Sequence, residues 1–350
     1  MGRPLGLDAI SILTCPRLRL SLMTRCLPLL LLVFIPPVFL MASDGARDGK
    51  SLIEGAEARA NIFGLPSFHM AASVRIDNKG SALEGSYLLF WNGPEQWREE
   101  IRFPGYSEVQ VGGKGIVFIQ RTTDFIPLAI YQLHSALGYG SGILPPGSFS
   151  HLIRGPDETV KKIHSRKINA VKADCVEVAG PENHTREICV DIATGALVRQ
   201  NPFVDGEVTP VSTKLFPHFL SYMEEGKSIA EVHITDLRAT EPLPSASFDP
   251  PRGAVSKPGC MNPNPPRLVR KVQPRYPEPE RQSHLEGTVA IDTTIGKDGN
   301  THNLRVVSGT TSGFNNASLE ATRLWHYEPA TCDGVAIDLE TILTVNYHLQ

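Results

Sequence analysis

The chain has 350 residues, 41% of them hydrophobic and 20% charged, with a net charge of −3 and a pI near 6.4. That length exceeds one ordinary small domain and that composition supports packed cores, which excludes a disordered chain. The near-neutral balance, eight Lys and Arg against ten Asp and Glu from Arg267 onward, excludes a basic face for nucleic acid.

Arg17, Arg19 and Arg25 precede an uncharged apolar run from Cys26 to Ala42, after which Ser43, Asp44, Gly45 and Ala46 are small or polar. This is the order of regions in a secretory signal peptide. The run is shorter than the ~20 residues a spanning helix needs, and Pro36 and Pro37 break helix inside it. Residues 1–45 are therefore expected to be a signal peptide, with an inner-membrane anchor as the alternative. Of six cysteines, Cys15 and Cys26 would leave with the signal. Four remain, an even number in an exported chain, which suggests two bridges with three possible connectivities. Cys175 and Cys189 lie symmetrically about Glu182 in the β-rich runs ADCVEVA and REICVDI, as facing positions on a hairpin would. They are paired here, which leaves Cys260 for Cys332; free buried thiols are the alternative. No CxxC spacing supports a metal site.

From Ser67 to about Asp249 the chain alternates short β-like runs with turn residues. FHMAASVRID, SYLLFW, the Asn92-Gly93 turn, QWREEIRF, EVQV and GIVFIQ come first. A helix is predicted over Phe125 to Leu137, with Ile126, Ile130, Leu133 and Leu137 on one stripe and Pro127 in its first turn. More strands follow, through IAEVHITDL, so residues 54–240 read as an antiparallel β domain with a helix against it. Eight prolines then fall between Glu241 and Pro266. Residues 241–266 are expected to be a semi-rigid, extended linker.

Residues 267–350 read as strand, strand, helix, strand. GTVAIDTTIG alternates, Lys297-Asp298-Gly299-Asn300 turns, and NLRVVSG returns. A helix is predicted over Phe314 to Trp325, with Ala317, Ala321 and Leu324 on its buried stripe and Asn315 or Asn316 as N-cap. The run from Ala336 to Leu349 places Ile337, Leu339, Thr341, Leu343, Val345, Tyr347 and Leu349 on one parity, a half-buried strand.

The strand order, the helix after FIQRTTDF, the Cys-flanked hairpin ending DIATGALVRQ and the exit IAEVHITDLRATEPLPSASFDPP resemble the LolA-like lipoprotein-carrier superfamily. That likeness implies an open half-barrel plugged by helices, with an apolar cavity for acyl chains. The C-terminal residues carry a sharper one. Gln273-Pro274-Arg275-Tyr276-Pro277, Gly287-Thr288-Val289, Asp298-Gly299, Val306-Val307-Ser308 and Trp325-His326-Tyr327-Glu328-Pro329-Ala330 resemble the TonB C-terminal domain, in register over Pro266 to Gln350. The expected fold class is thus α+β: a mainly antiparallel β half-barrel with a helix, followed by a small β-β-α-β domain.

The second resemblance implies a domain in the periplasm of a Gram-negative-type bacterium that adds an extended segment of an outer-membrane TonB-dependent transporter beside its last strand. Candidate partner-binding residues are Ile337, Leu339, Thr341, Leu343, Val345 and Tyr347; proline at Leu343 or Val345 is expected to abolish binding if their main-chain donors face the partner. Gln273 and Arg275 join them from the lead-in segment. Members that transduce energy carry a histidine in their membrane helix, whereas the first histidine here is His69. The implied function is that of a non-enzymatic envelope protein of the TonB type, taking part in transmembrane transport. The alternative is a periplasmic lipid or lipoprotein carrier whose TonB-like part serves assembly. No catalytic, cofactor-binding or metal residue is assigned, and no cofactor is expected. Gly112-Gly113-Lys114-Gly115 lacks the phosphate-loop frame and reads as a hairpin turn, Gly140-Ser141-Gly142 lacks the spacing of a nucleophile elbow, and the bacterial source that the resemblance implies would leave the Asn183-His184-Thr185 sequon idle.

Overall fold

A computed structural model describes residues 48–78, 81–137, 158–168, 170–180, 185–200, 203–205, 208–224, 226–260 and 263–349. The N-terminal apolar run, Gly140-Ser141-Gly142 and most of the sequon lie outside them. Among the described residues no helix is long and apolar enough to cross a membrane.

The first element, α1 (Gly49–Ala60), starts at Asp48, whose carboxylate accepts from the Lys50 and Ser51 amides. Its Ile53 packs on Val176, Val178 and Ile188. Five strands follow as successive hairpins: β1 (Phe68–Asn78), β2 (Ser81–Trp91), β3 (Trp97–Phe103), β4 (Tyr106–Gly113) and β5 (Ile116–Arg121). The turn between β4 and β5 is made by Lys114 and Gly115, both at positive φ. Gly112 to Gly115 thus form the hairpin turn that the sequence predicts. Gly112 is glycine for a packing reason, since a Cβ there would fall 2.1 Å from the Trp97 ring.

Helix α2 (Leu128–Ala136) is shorter than the predicted span, and Pro127 stands at its N-cap with extended ψ rather than inside the first turn. The proline ring disfavours helical backbone at Ile126, which moves the start past it. The chain continues through β6 (Thr159–Ile168), β7 (Val171–Ala179), β8 (Thr185–Asp191), β9 (Leu197–Gln200) and β10 (Phe203–Asp205). A small hairpin of β11 (Val208–Val211) and β12 (Lys214–Pro217) precedes β13 (Phe219–Glu224) and β14 (Lys227–Ala239). With β15 (Val255–Pro258) these form a thirteen-stranded antiparallel sheet, order β15-β5-β4-β3-β2-β1-β14-β13-β10-β9-β8-β7-β6. The alternating residues of β1 to β3, among them Phe68, Met70, Val74, Tyr87, Leu89, Trp91, Trp97 and Ile101, form one core with Ile130 and Leu133 of α2. Each such buried side chain contributes roughly 1.5–3 kcal/mol relative to exposure. Cys175 and Cys189 face each other across β7 and β8 and are bonded.

The proline-rich stretch stays on the sheet. The Asn92 side chain donates to the Leu243 carbonyl and accepts from its amide, Phe248 is buried, and Val255–Pro258 pairs with β5. Pro258 is tolerated there because β15 is the edge of the sheet. Within the stretch expected to be a semi-rigid, extended linker, Leu243, Phe248 and Val255–Pro258 thus lie against the sheet.

The C-terminal module contains β16 (Arg267–Arg270), α3 (Glu278–Gln282), β17 (Gly287–Ile295), β18 (Thr301–Ser308), α4 (Ser312–Thr322), β19 (His326–Glu328), β20 (Thr331–Cys332), β21 (Val335–Ala336) and β22 (Leu339–Tyr347). Cys260 is bonded to Cys332. Helix α4 begins earlier than predicted because Thr311, not an asparagine, is its N-cap: the hydroxyl accepts from the Phe314 amide. The helix also ends earlier, so Leu324, expected on the buried stripe, is 53% exposed, while Phe314, Ser318, Ala321 and Thr322 make the buried face. The last strand is shorter than the run Ala336 to Leu349. Val335 and Ala336 pair with β20, and the Ile337 amide turns to the Ala330 carbonyl.

Candidate partner-docking site

β17, β18 and β22 form a three-stranded antiparallel sheet in the order β18-β17-β22, so among the described residues β22 has one paired and one unpaired edge. Of the two outer strands it has the more regular register. β17 and β22 pair in unbroken register from Gly287↔Tyr347 to Ile295↔Leu339, whereas β18 shifts register twice and carries Asn303 at positive φ. Bulges blunt an edge against strand addition, which leaves β22 as the better template.

The alternation of side chains and ladder bonds says what each residue of β22 presents. Leu339, Thr341, Leu343, Val345 and Tyr347 are buried. Leu343, Val345 and Tyr347 pack with Val289, Ile291, Phe314, Trp325 and Tyr327, and Leu339 packs with Ala330 and Ile337. Their side chains belong to the module's own core. The Gly296 amide donates to the Asn300 carbonyl across the β17–β18 turn, so even-numbered residues of β17 bond toward β18 and odd-numbered ones toward β22. Through the register with β22, the amides of Leu339, Thr341, Leu343, Val345 and Tyr347 are spent on β17, and those of Glu340, Ile342, Thr344 and Asn346 point to the free edge. By this parity the Leu343 and Val345 donors face β17, so the condition set for proline at those two positions is not met. Ile337 precedes the strand, with its amide already bonded.

The lead-in segment is pinned to the same module. The Trp325 indole donates to the Val272 carbonyl at 2.8 Å, Lys271 lies 5.5 Å from the Trp325 ring, and Tyr276 meets Phe314 and Tyr347 edge-on. Tyr276 also donates to the Leu285 carbonyl. Gln273 and Arg275 are exposed on this fixed segment.

The opposite face of β17 and β22 rests on the large sheet. Glu340 is bonded to Arg121 at 3.0 Å and to Lys257, and Arg121 reaches back to Glu108, which is 1% exposed. Burial would push the Glu108 carboxyl up, but the Arg121 guanidinium, the Tyr106 hydroxyl and the Gln110 amide together hold it below the usual range. Glu340 is likewise held low against its burial by Arg121 and Lys257. The Tyr131 hydroxyl donates to Asp292 at 2.7 Å, yet burial still leaves that carboxyl above its ordinary value. Ile342 packs against the large-sheet core. A cavity of about 350 Å³ remains between the two parts, lined by Val117, Ile119, Lys257, Leu339 and Glu340 among others. None of Arg121, Tyr131, Lys257, Asp292 and Glu340 was singled out from the sequence. Their partners lie up to 219 residues apart, and the one trace is that Glu340 and Asp292 interrupt otherwise uncharged strands.

Residues 272–349 match the family model described as Gram-negative bacterial TonB protein C-terminal. Protein TonB of Klebsiella pneumoniae is 32% identical over 102 residues, a match taking in 26% of this chain and 42% of that protein. The chain spans about two fifths of the length of the curated relatives it matches. Among solved structures, a LolA-superfamily protein from Nitrosomonas europaea is similar at TM-score 0.34 and 12% identity, over 57% of this chain and 96% of that one. The C-terminal domain of Pseudomonas aeruginosa TonB is similar at TM-score 0.23 and 22% identity, over 26% of this chain and 94% of that one. The C-terminal residues of this chain are thus similar to the C-terminal part of TonB.

Proposed function

We propose that this is a non-enzymatic envelope protein of the TonB type, whose C-terminal module binds an outer-membrane TonB-dependent transporter by taking an extended transporter segment as a fourth strand beside β22. The observation that carries this reading is the unbroken β17–β22 register with an unpaired outer edge. Main-chain donors on such an edge give affinity that tolerates sequence variation, and alternate side chains set register. Exposed Thr344 and Asn346 offer both. Gln273 and Arg275, presented on a segment fixed by Trp325 and Tyr276, serve as auxiliary contacts. The buried side chains of Leu339, Thr341, Leu343, Val345 and Tyr347 hold the edge in place rather than touch the partner.

Titrating the full chain with a synthetic TonB-box peptide tests the reading. Proline at Thr344 or Asn346 removes a free-edge donor while sparing the ladder to β17, as proline on an edge strand does. Each variant is expected to stay folded and to weaken peptide binding at least tenfold. Unchanged affinity in both folded variants would count against strand addition at this edge.

A further inference from the structure

The large sheet has an edge of its own at β6, its last strand, whose outer side is unpaired among the described residues. The register with β7 slips once, between Val160 and Lys162, and then runs unbroken from Lys162↔Glu177 to Ile168↔Val171. The Ile192 amide donates to the Lys172 carbonyl at 3.0 Å, so even-numbered residues of β7 bond toward β8 and odd-numbered ones toward β6. Through the β6–β7 register, the amides of Lys162, His164, Arg166 and Ile168 are spent on β7, and those of Ile163, Ser165 and Lys167 point outward. All three of these residues are exposed.

The charge on this edge has one sign. β6 carries Lys161, Lys162, Arg166 and Lys167 and no acid, and Lys172 stands opposite Lys167. The acids nearby are on the inner strands: Glu187 takes Arg166 and His164, Asp174 accepts from the Ser165 hydroxyl, and Glu177 lies opposite Lys162 in register. Among the described residues, no acid makes an ion pair with Lys161, Lys162, Lys167 or Lys172. Edge lysines deter pairing with neutral or basic strands, and here they repel a second copy of β6. An acidic strand meets no such barrier. The cations also stand on both faces of the sheet, Lys162 and Arg166 on one parity, Lys167 with its cross-strand neighbour Lys172 on the other. A flat anionic surface meets one face at a time, whereas a strand lying in the plane of the sheet sends alternate side chains to both.

We infer that the outer edge of β6 is a second docking site, which takes an acidic extended segment of a partner protein as an added strand of the large sheet. The amides of Ile163, Ser165 and Lys167 supply the ladder, while acids alternating above and below the sheet meet Lys162 and Arg166 on one face and Lys167 and Lys172 on the other. Main-chain bonds give affinity and charge selects the segment. This site stands apart from the strand addition at β22 and does not depend on it.

The test is a titration of the full chain, followed by fluorescence anisotropy, with an end-capped peptide of Glu, Val and Thr whose glutamates fall on both faces when it is extended. It is expected to bind about tenfold more tightly than the same peptide with Gln in place of Glu, a gap that added salt should narrow. Lys162→Gln with Lys167→Gln should weaken binding of the acidic peptide about tenfold. Ser165→Pro removes an outward donor from an edge strand and should weaken it by about as much. Amide exchange on the parent reads the same ladder without a variant: Ile163, Ser165 and Lys167 should slow when the peptide binds. An excess of TonB-box peptide should not displace it. Equal affinity for the Glu and Gln peptides, full binding by a folded Ser165→Pro variant, or no added protection at the three amides would overturn the inference. Displacement by the TonB-box peptide would overturn it too, by placing the acidic peptide on β22. Binding to phosphatidylglycerol vesicles without binding of the peptide would replace it with a membrane contact.

Discussion

Arg121→Met strips the guanidinium from between two carboxylates, one of them on a residue 1% exposed. Methionine keeps most of the volume, so the loss is electrostatic rather than a cavity. Removing one member of a buried ion pair leaves the other charged and unsolvated, at a cost of about 3–5 kcal/mol. Glu108 keeps its bonds from Tyr106 and Gln110, and Glu340 keeps Lys257, which places the expected loss near the lower end, about 3 kcal/mol. Urea denaturation at pH 7, followed by tryptophan fluorescence, measures it. The sign with pH is also fixed. In the parent, the Glu108 carboxyl is held low, so its contribution is present above its unfolded pKa and is lost as pH falls through the folded one. Without Arg121, burial raises that pKa, and the variant should regain stability as the pH drops toward 5. Adding Glu108→Gln to Arg121→Met removes the stranded charge and should restore all but about 1–2 kcal/mol. A single variant that loses less than 1 kcal/mol, or a double variant no better than the single, would refute the buried bridge.

Burial pushes the Glu99 carboxyl up to about 8, with Tyr87 opposing and Glu108 adding to the rise, and pushes the neighbouring His134 down to about 4 from 6.5. As pH rises above 6.5 the unfolded histidine loses its remaining proton while the folded one is already neutral, a smaller, opposing change, whereas the folded chain still holds a Glu99 proton that the unfolded chain has released. Stability should therefore fall by about 1–2 kcal/mol between pH 6.5 and 8, and Glu99→Gln should flatten that slope; matching slopes in urea titrations of parent and variant would sink the assignment. The disulfides are expected to stabilise unequally. Cys175–Cys189 spans 14 residues and Cys260–Cys332 spans 72, for which chain entropy gives about 3 and about 4.4 kcal/mol. Paired Cys→Ser variants should rank in that order by urea midpoint, and an unshifted midpoint of the parent in reductant would contradict both values.

Local signals carried much of the architecture. Period-two runs, the Lys114-Gly115 turn and the position of Cys175 opposite Cys189 are written within a few residues of one another. Boundaries moved where a neighbour's chemistry decided them: Pro127 ended the extended approach to α2, and Thr311 outcompeted Asn315 as a cap by reaching the Phe314 amide. Helix α1 went unseen because its buried side chains are few and Asp48 is its main local mark. At the candidate site, alternation showed which side chains of the last strand are buried. It could not show that the outward amides belong to the other parity, because that depends on the Gly296–Asn300 bond across a separate hairpin. The grip of the large sheet on Glu340 and Asp292 was further out of reach. Salt bridges and hydroxyl bonds between distant segments leave no period in a sequence.

Amide hydrogen exchange on the full chain, with and without a TonB-box peptide, reaches the proposed docking strand most directly. The amides of Thr344 and Asn346 should exchange quickly in the free protein and slow at least tenfold when the peptide binds. Those of Leu343 and Val345, already bonded to β17, should be slow in both states. Peptide binding that leaves Thr344 and Asn346 unprotected, or that protects β18 instead, would contradict docking at the edge of β22.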